Sequence, residues 1–233
     1  MNSNESSPQG VDLRTLIRLF PVVFSAIAIS IVLLPWSLQA SGWTSLPLRA
    51  FAIIDPAEWP ALVAGAGGGS DGVLSALLVV LQRGEIWRLV TPAFLHFDLM
   101  HVAFNGAIVY LLGQRLEIRL GTVWMLVFTL LSAAISNVVQ LWWSQQVYFG
   151  GLSGVGFALL GGLIVLGWLR PHDPAFALPK QFIASLLFFL LLFSTGITEF
   201  IGLHIANAAH WGGMGSGVVL GLVLHGVLPR DRY

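Results

Sequence analysis

The chain has 233 residues, of which 56% are hydrophobic and only 9% are charged. Soluble domains carry about 25% charged residues, so this chain could not cover its surface in water, and we predict an integral membrane protein. Its 11 basic and 11 acidic residues cancel, which gives no electrostatic basis for nucleic-acid binding, and the absence of cysteine excludes disulfides, thiolate metal sites and a cysteine nucleophile.

The first apolar run covers residues 19–38 and follows a polar stretch, residues 1–10, that we expect to be disordered. A run of about 20 residues is long enough to cross a bilayer as a helix. Because Arg14 and Arg18 precede it and Ala40 follows it, a cleaved signal peptide is the alternative. The length of the run and the topology that it completes favour a membrane helix.

A region of different composition covers residues 40–94. We expect its prolines to break any long helix: Pro47, Pro56 and Pro60. Residues 65–72 (GAGGGSDG) predict a flexible turn, and the apolar run 73–81 is too short to span, so we expect it at the interface or against the bundle. Three tryptophans fit an interfacial belt: Trp43, Trp59 and Trp87. We therefore predict one long, structured loop outside the hydrocarbon core.

Five more apolar segments follow, at about residues 96–114, 121–143, 152–169, 181–199 and 204–227. With the first run they predict an all-α polytopic membrane protein, a bundle of six transmembrane helices with a long first extracytoplasmic loop. The expected organisation is an N-terminal tail at 1–18, the membrane domain at 19–228 and a C-terminal tail at 229–233.

The basic residues predict the orientation of this bundle. Eight would face the cytoplasm if the N-terminus does: Arg14, Arg18, Arg115, Arg119, Arg170, Lys180, Arg230 and Arg232. The other three lie in the long first loop: Arg49, Arg83 and Arg88. The short outer loops contain none, which is the positive-inside pattern. Both tails are therefore predicted to be cytoplasmic, and a minimal bundle of this kind suggests a prokaryotic inner membrane.

Polar side chains lie near the start of three predicted helices that all begin at the outer face. His101 and Asn105 belong to the second helix, Ser153 begins the fourth, and His210 lies near the start of the sixth. All four groups are therefore within about two turns, roughly 5–10 Å, of one surface. Polar groups inside lipid are costly and indicate function. Taken singly, His210 would be a packing residue and Asn105 an interhelical contact; their shared depth favours a site.

The chemistry of the four groups is complementary. Ser153 becomes a nucleophile when a base takes its proton, and a histidine such as His210 suits that task near neutral pH. His101 and Asn105 share a helix face, and with the backbone N–H of Ser153 they could form an oxyanion hole. No carboxylate is placed to orient His210, so we predict a dyad.

Small residues at four-residue spacing predict that the fourth and sixth helices pack backbone to backbone. In the sixth helix these are Gly213, Gly217 and Gly221, and in the fourth they are Gly154, Ala158 and Gly162. Gly150 and Gly151 let the preceding loop turn into the fourth helix. The other histidines lack this co-location, and we expect them at an interface, a loop end, a cytoplasmic loop and the inner face: His96, His204, His172 and His225.

At these residues the chain also resembles the rhomboid family of intramembrane serine proteases, over about residues 85–227. The matching motifs are Trp87 with Arg88, residues 96–105 (HFDLMHVAFN), 117–119 (EIR) with Gly121, 151–154 (GLSG), and Ala209 with His210 followed by Gly213 and Gly217. The resemblance implies a six-helix bundle with a short, central fourth helix and a water-filled cavity open to the outside. It implies Ser153 as nucleophile, His210 as general base, and an oxyanion hole from His101, Asn105 and the Ser153 amide.

Two charged residues, Glu117 and Arg119, are implied to be structural, tying the first loop to the second and third helices. Phe157 departs from the family pattern, in which a tyrosine is usual at this position. Its ring can still pack beneath His210, because residues four apart share a helix face, but it offers no hydroxyl. Residues 1–84 match less clearly.

The predicted function is hydrolysis of a peptide bond in or near the transmembrane segment of another protein. The substrate helix would unwind locally and enter from the lipid past the second and fifth helices. The fifth is rich in phenylalanine and has few polar ties, so it could move as a gate, with the loop before the sixth helix as a lid. Transmembrane substrates and lipid are the expected partners; no cofactor, metal or nucleic acid is expected.

Two other functions remain open. A non-catalytic relative could bind membrane clients, although such relatives usually lack the serine or the histidine. A transporter or proton channel could use His96, His101 and His210, but the sequence offers no intramembrane acidic partner and no clear internal repeat.

Overall fold

The computed structural model describes residues 12–38, 45–202 and 205–228, and within these ranges the chain is helical, with no β-strand. The α-helices are α1 (Leu13–Leu19), α2 (Pro21–Ser37), α3 (Leu46–Phe51), α4 (Trp59–Gly65), α5 (Gly69–Gln82), α6 (Leu99–Ser144), α7 (Ser153–Leu169), α8 (Lys180–Ser194) and α9 (Asn207–Val227). Single 3₁₀ turns lie at Ile86–Leu89, Thr91–Phe94 and Ile197–Ile201. The expectations for residues 1–10, Trp43, His204 and the tail 229–233 lie outside the described residues.

The long helix α6 contains the second and third predicted segments. Its backbone leaves helical geometry at Gly121, where φ is 69° and ψ is 170°, so that residues 99–120 and 122–144 form two successive helices. Gly121 therefore stands at the short connection that the apolar pattern places between 114 and 121.

By length and composition, α6 is the one helix among the described residues that could cross a membrane. The number rises to three if two bent pairs each count as one span, α1 with α2 at 108° and α4 with α5 at 120°. Helices α7 and α8 are apolar but have only 17 and 15 residues. All six predicted segments are helical, while the count of six membrane spans stays a prediction.

The region before α6 contains more helix than its prolines and glycines predict. Among the described residues no long helix runs through these prolines, as expected, but Pro47 and Pro60 lie in the first turn of two short helices, α3 and α4. Proline is tolerated there, since the first N–H groups of a helix have no partner in the helix. The predicted glycine turn is also shorter than residues 65–72, because α5 already begins at Gly69.

This first loop is ordered by buried contacts. Arg88 is only 8% exposed; its Nη1 donates to the carbonyl oxygens of Arg49 and Ala52 at 2.6 and 3.0 Å, and its Nε contacts Glu85 at 2.7 Å. The guanidinium of Arg49, in α3, hydrogen-bonds to Asp55 and lowers the pKa of that carboxyl group. The apolar face of α5 packs on the end of α6 and the segment after it, through Val73, Ala76, Val80, Leu141, Val147 and Phe149. The described residues of this region are therefore held by specific contacts, while its place as a loop outside the hydrocarbon core stays a prediction.

Helix α7 lies at the centre and packs most extensively against α9 and next against α6. A Cβ atom added to Gly213 would overlap the carbonyl oxygen of Gly154, and one added to Gly217 would overlap that of Ala158. The two backbones touch at these positions, which confirms the close packing that the small-residue pattern predicts.

The charged residues Glu117 and Arg119 have structural contacts, but Glu117 binds the start of α2 and not the first loop as expected. The Glu117 carboxylate accepts hydrogen bonds from the backbone N–H groups of Val22 and Val23, at 2.8 and 3.1 Å. These amides begin α2 and would otherwise lack acceptors. Arg119 pairs with Asp173 at 2.7 Å, in the segment after α7. Glu117 thus ties α6 to α2, and Arg119 ties it to the connection between α7 and α8.

Replacing Glu117 with alanine should lower the free energy of unfolding by about 1–3 kcal/mol, because it leaves two amides of α2 unsatisfied in the interior. Thermal unfolding in detergent micelles measures the loss. The matched control is Glu199→Ala, which removes an exposed glutamate from the turn Ile197–Ile201. Equal losses in the two variants would contradict the proposed capping contact.

Candidate active site

The structure brings Ser153 and His210 into direct contact. Ser153 is the first residue of α7, and His210 lies in the first turn of α9, where only 5% of its surface is exposed. Ser153 Oγ lies 2.9 Å from His210 Nε2. Among the described residues, none offers a hydrogen bond to His210 Nδ1. The pair thus has the geometry of a nucleophile and its base, without a carboxylate as third member.

The ring of Phe157 packs against His210, with ring centroids 4.8 Å apart and an interplanar angle of 41°. This is the contact that the four-residue spacing from Ser153 predicts. The ring supports one side of the imidazole by van der Waals contact, while a hydroxyl is absent from this position.

The side chains of His101 and Asn105 both lie close to Gly151, two residues before Ser153. A Cβ atom built on Gly151 would lie 2.7 Å from His101 Nε2 and 3.1 Å from Asn105 Nδ2. Gly151 also has a φ of +119°, a conformation that L side chains rarely adopt, so only glycine satisfies both requirements here. Both polar side chains therefore face the loop that leads into α7.

The position of His101 is fixed by a helix cap. Asp98 precedes α6, and its Oδ1 accepts the backbone N–H of His101 at 2.7 Å. An aspartate at this position satisfies one of the free amides of the first turn. Asp98 is thus a capping residue, in keeping with its exclusion as a partner of His210.

A small cavity of about 60 Å³ lies beside Ser153. Its lining is mostly apolar and consists of Asn105, Ile108, Ser153, Gly156, Phe157 and Leu186. A Cβ atom on Gly156 would lie 3.1 Å from Ile108 Cγ2, so the glycine leaves this space open. The sequence had offered no role for Gly156; the structure places it in the wall of the cavity.

His96 belongs to the same cluster, and its assignment to an interface is wrong. The side chain is fully buried, with Nε2 at 3.1 Å from Asn105 Nδ2 and 3.3 Å from the backbone nitrogen of Leu152. It lies three residues before the first residue of α6, outside the helix, so helical periodicity could not relate it to Asn105. The one available signal was its place in the matching run 96–105. By contrast, His172 is exposed in the segment after α7 and His225 lies in the last turn of α9, while their location on the cytoplasmic side stays a prediction.

Gln140 is a second residue that the sequence did not single out. Its Oε1 accepts the backbone N–H of Ala209 at 2.9 Å, next to His210. This hydrogen bond attaches the start of α9 to α6. Sequence reasoning missed Gln140 because a single glutamine in an apolar helix forms no distinctive pattern.

Together these groups have the composition of an acyl-transfer site. The Ser153 hydroxyl contacts the His210 imidazole. The N-terminus of α7 and the side chains of His101 and Asn105 lie beside this pair. The first N–H groups of α7 have no partner within the helix and carry partial positive charge. Developing negative charge on a substrate oxygen could therefore be stabilised at this point.

Comparison with known proteins identifies relatives over this part of the chain. A family model described as Rhomboid domain matches residues 83–227. The rhomboid protease GlpG of Yersinia pestis (strain Pestoides F) is 40% identical over 147 residues, 61% of this chain and 48% of that protein. GlpG of Yersinia pseudotuberculosis (serotype O:3, strain YPIII) and that of Yersinia enterocolitica (serotype O:8) have the same identity and coverage. The chain thus spans about half the length of the curated relatives that it matches.

Proposed function

The chain belongs to the rhomboid family, whose model covers residues 83–227, and on that premise we propose that it is an intramembrane serine endopeptidase. Its substrates would be transmembrane segments of other membrane proteins. The observation that carries the proposal is the 2.9 Å contact between Ser153 Oγ and His210 Nε2, at the N-terminus of the central helix.

In the proposed first step, His210 Nε2 takes the proton of Ser153 as Oγ attacks the carbonyl carbon of the scissile bond. The carbonyl oxygen becomes an oxyanion as its π bond opens. The backbone N–H of Ser153 and the side chains of His101 and Asn105 are the proposed donors to it, because they surround the approach to α7. Such preorganised donors lower the barrier because they need no reorientation as charge develops.

In the second step the carbon–nitrogen bond breaks and His210 gives its proton to the leaving amine. The product half that carries the new carboxyl end stays on Ser153 as an ester. A water molecule, deprotonated by His210, then attacks this ester, and the proton returns to Ser153 Oγ when the ester bond breaks. The dyad is thereby restored, with one water consumed for each peptide bond cleaved.

Entry of the substrate is proposed to take place beside α8. This helix has one buried residue, Leu190, and its side-chain hydrogen bonds to α9 lie at its C-terminal end. Asn207 Nδ2 donates to the carbonyl oxygen of Phe193, and Trp211 Nε1 donates to Ser194 Oγ, both at 2.8 Å. The rest of α8 could move away from the bundle without breaking buried polar contacts. Residues 203 and 204 of the proposed lid lie outside the described residues.

The proposed setting is a bilayer crossed six times, with both tails in the cytoplasm and the site near the outer face. The proposed membrane domain covers residues 19–228, and α1 lies across its boundary with the N-terminal tail. A prokaryotic inner membrane is the proposed location, since the relatives named above are bacterial.

The proposal is tested by incubating the purified protein in detergent micelles with a set of tagged single-span substrates. We expect cleavage within or next to the transmembrane segment, located by mass spectrometry. A fluorophosphonate probe should label the protein, and the label should map to Ser153. Absence of both cleavage and labelling would contradict the proposal and favour a binding function.

A further inference from the structure

We propose that His96 is a positioning residue that holds the oxyanion hole in place. Its neutral imidazole accepts hydrogen bonds from the side chain of Asn105 and from the backbone of Leu152, and so fixes two sides of the hole through one nitrogen atom. This inference rests on the proposed function, because it assigns His96 a part in the same reaction.

His96 lies in the interior of the protein, away from solvent. Its side chain is 0% exposed. Nδ1 lies 3.2 Å from the carbonyl oxygen of Phe94, and Nε2 lies 3.1 Å from Asn105 Nδ2 and 3.3 Å from the backbone nitrogen of Leu152. Each ring nitrogen therefore has a polar neighbour, as a buried imidazole requires.

These neighbours determine which nitrogen carries the proton. The backbone N–H of Leu152 can only donate, so His96 Nε2 must accept and be unprotonated. The single ring proton then sits on Nδ1, where it is donated to the carbonyl oxygen of Phe94. A carbonyl oxygen can only accept, so this arrangement satisfies all groups. The nearby ring of His101, 4.8 Å away between centroids, would disfavour a second positive charge at this place.

The same tautomer fixes the orientation of Asn105. Its amide nitrogen faces His96 Nε2, because the amide oxygen would place one acceptor against another. One N–H of this amide is used by His96. The other is left to point toward Gly151 and the cavity beside Ser153, where Asn105 forms part of the lining. His96 thus determines that a donor faces the reacting carbonyl.

The second hydrogen bond acts on the backbone. Leu152 is the residue that precedes α7, and the next peptide unit carries the N–H of Ser153. Holding the Leu152 amide restrains the turn that aims this N–H at the substrate. A single ring nitrogen therefore connects the side-chain donor with the backbone donor. Displacing either by about 1 Å could cost 10²-fold in rate.

The test compares His96→Phe, which keeps a ring but removes both nitrogens, with His96→Gln, which keeps an acceptor near the position of Nε2. The phenylalanine variant should lower kcat by about 10–100-fold with KM within about twofold, because the hole acts on the transition state. The glutamine variant should recover at least part of this loss. The exposed His172→Phe is the matched control and should retain wild-type kcat.

A double variant separates positioning from stability. In an Asn105→Ala background, His96→Phe should cost much less than in the wild type, because one of its two targets is gone. A kcat within twofold of wild type in His96→Phe would overturn the proposal. The proposal would also be overturned if kcat fell equally in His96→Phe and His96→Gln and the fall paralleled their melting temperatures. If the wild type shows no Ser153-dependent cleavage, the proposed function itself fails. If the wild type cleaves but His96→Phe has normal kcat, only the positioning role of His96 fails.

A measurement on the unmodified protein keeps the test decisive if His96→Phe does not fold. Nitrogen-15 NMR of ring-labelled histidine in micelles at neutral pH should show His96 as the Nδ1–H tautomer, with Nε2 unprotonated. His96→Gln serves to assign the signal. An Nε2–H tautomer or a charged ring would overturn the proposal.

Discussion

Replacing Ser153 with alanine is expected to abolish cleavage of a single-span substrate and labelling by a fluorophosphonate. Replacing His210 with alanine should lower kcat by about 10⁴-fold or more, because the serine hydroxyl then has no base within reach. The two residues act as one unit through the contact between Oγ and Nε2. The double variant should therefore be no less active than Ser153→Ala alone. Rates are measured by product formation over time at saturating substrate.

Two matched controls lie on the exposed surface, one in α5 and one in the segment between α7 and α8. Ser70→Ala removes an exposed hydroxyl from the start of α5, and His172→Ala removes an exposed imidazole after α7. Both should cleave at the wild-type rate. Cleavage by Ser153→Ala or His210→Ala at the wild-type rate would show that the assigned dyad is wrong.

Substitution of Gly217 by valine is expected to have the largest effect on folding. A Cβ atom here would overlap the carbonyl oxygen of Ala158, so α9 would have to move away from α7 along its length. Overpacking of a well-packed core commonly costs about 1–3 kcal/mol of folding free energy. The cost should be higher here, because the atoms in the way belong to the backbone of Ala158, which cannot change rotamer. We expect a large fall in melting temperature in micelles and loss of fluorophosphonate labelling.

Gly215→Val provides the control for this substitution. Gly215 is on the same helix two residues away, and a Cβ atom there would meet nothing within 4 Å. Both variants lose a glycine of α9 and gain a β-branched valine. The difference between their melting temperatures therefore isolates the contact with α7. Similar melting temperatures for both would contradict the packing argument.

The parts of the fold that depend on local pattern could be predicted from the sequence. Apolar runs gave the positions of α2, α6, α7, α8 and α9, because each helix is built from continuous hydrophobic residues. The small residues of α7 and α9 predicted the contact at Gly213 and Gly217, since only a close approach of two backbones calls for glycine at that spacing. The same contact brings Ser153 to His210, which is why these two were found together.

The remainder depends on contacts between segments distant in sequence, which a local pattern does not encode. Glu117 accepts from amides almost a hundred positions earlier, and its partner could not be read from its neighbours. His96 lies outside any helix, so nothing in its spacing related it to Leu152. The prolines of the first loop were expected to exclude long helices, but the short helices that carry Pro47 and Pro60 in their first turn were not predicted.

The backbone contact between Gly154 and Gly213 has a mechanical consequence. Gly154 follows Ser153 directly, and Gly213 lies three residues after His210, so the spacing between Ser153 Oγ and His210 Nε2 depends on a direct contact between two backbones. No side chain lies between the two backbones at this contact, so little can change their separation. In bilayers of different thickness we expect α7 and α9 to tilt together as one stiff pair, while the loosely held α8 absorbs the adjustment.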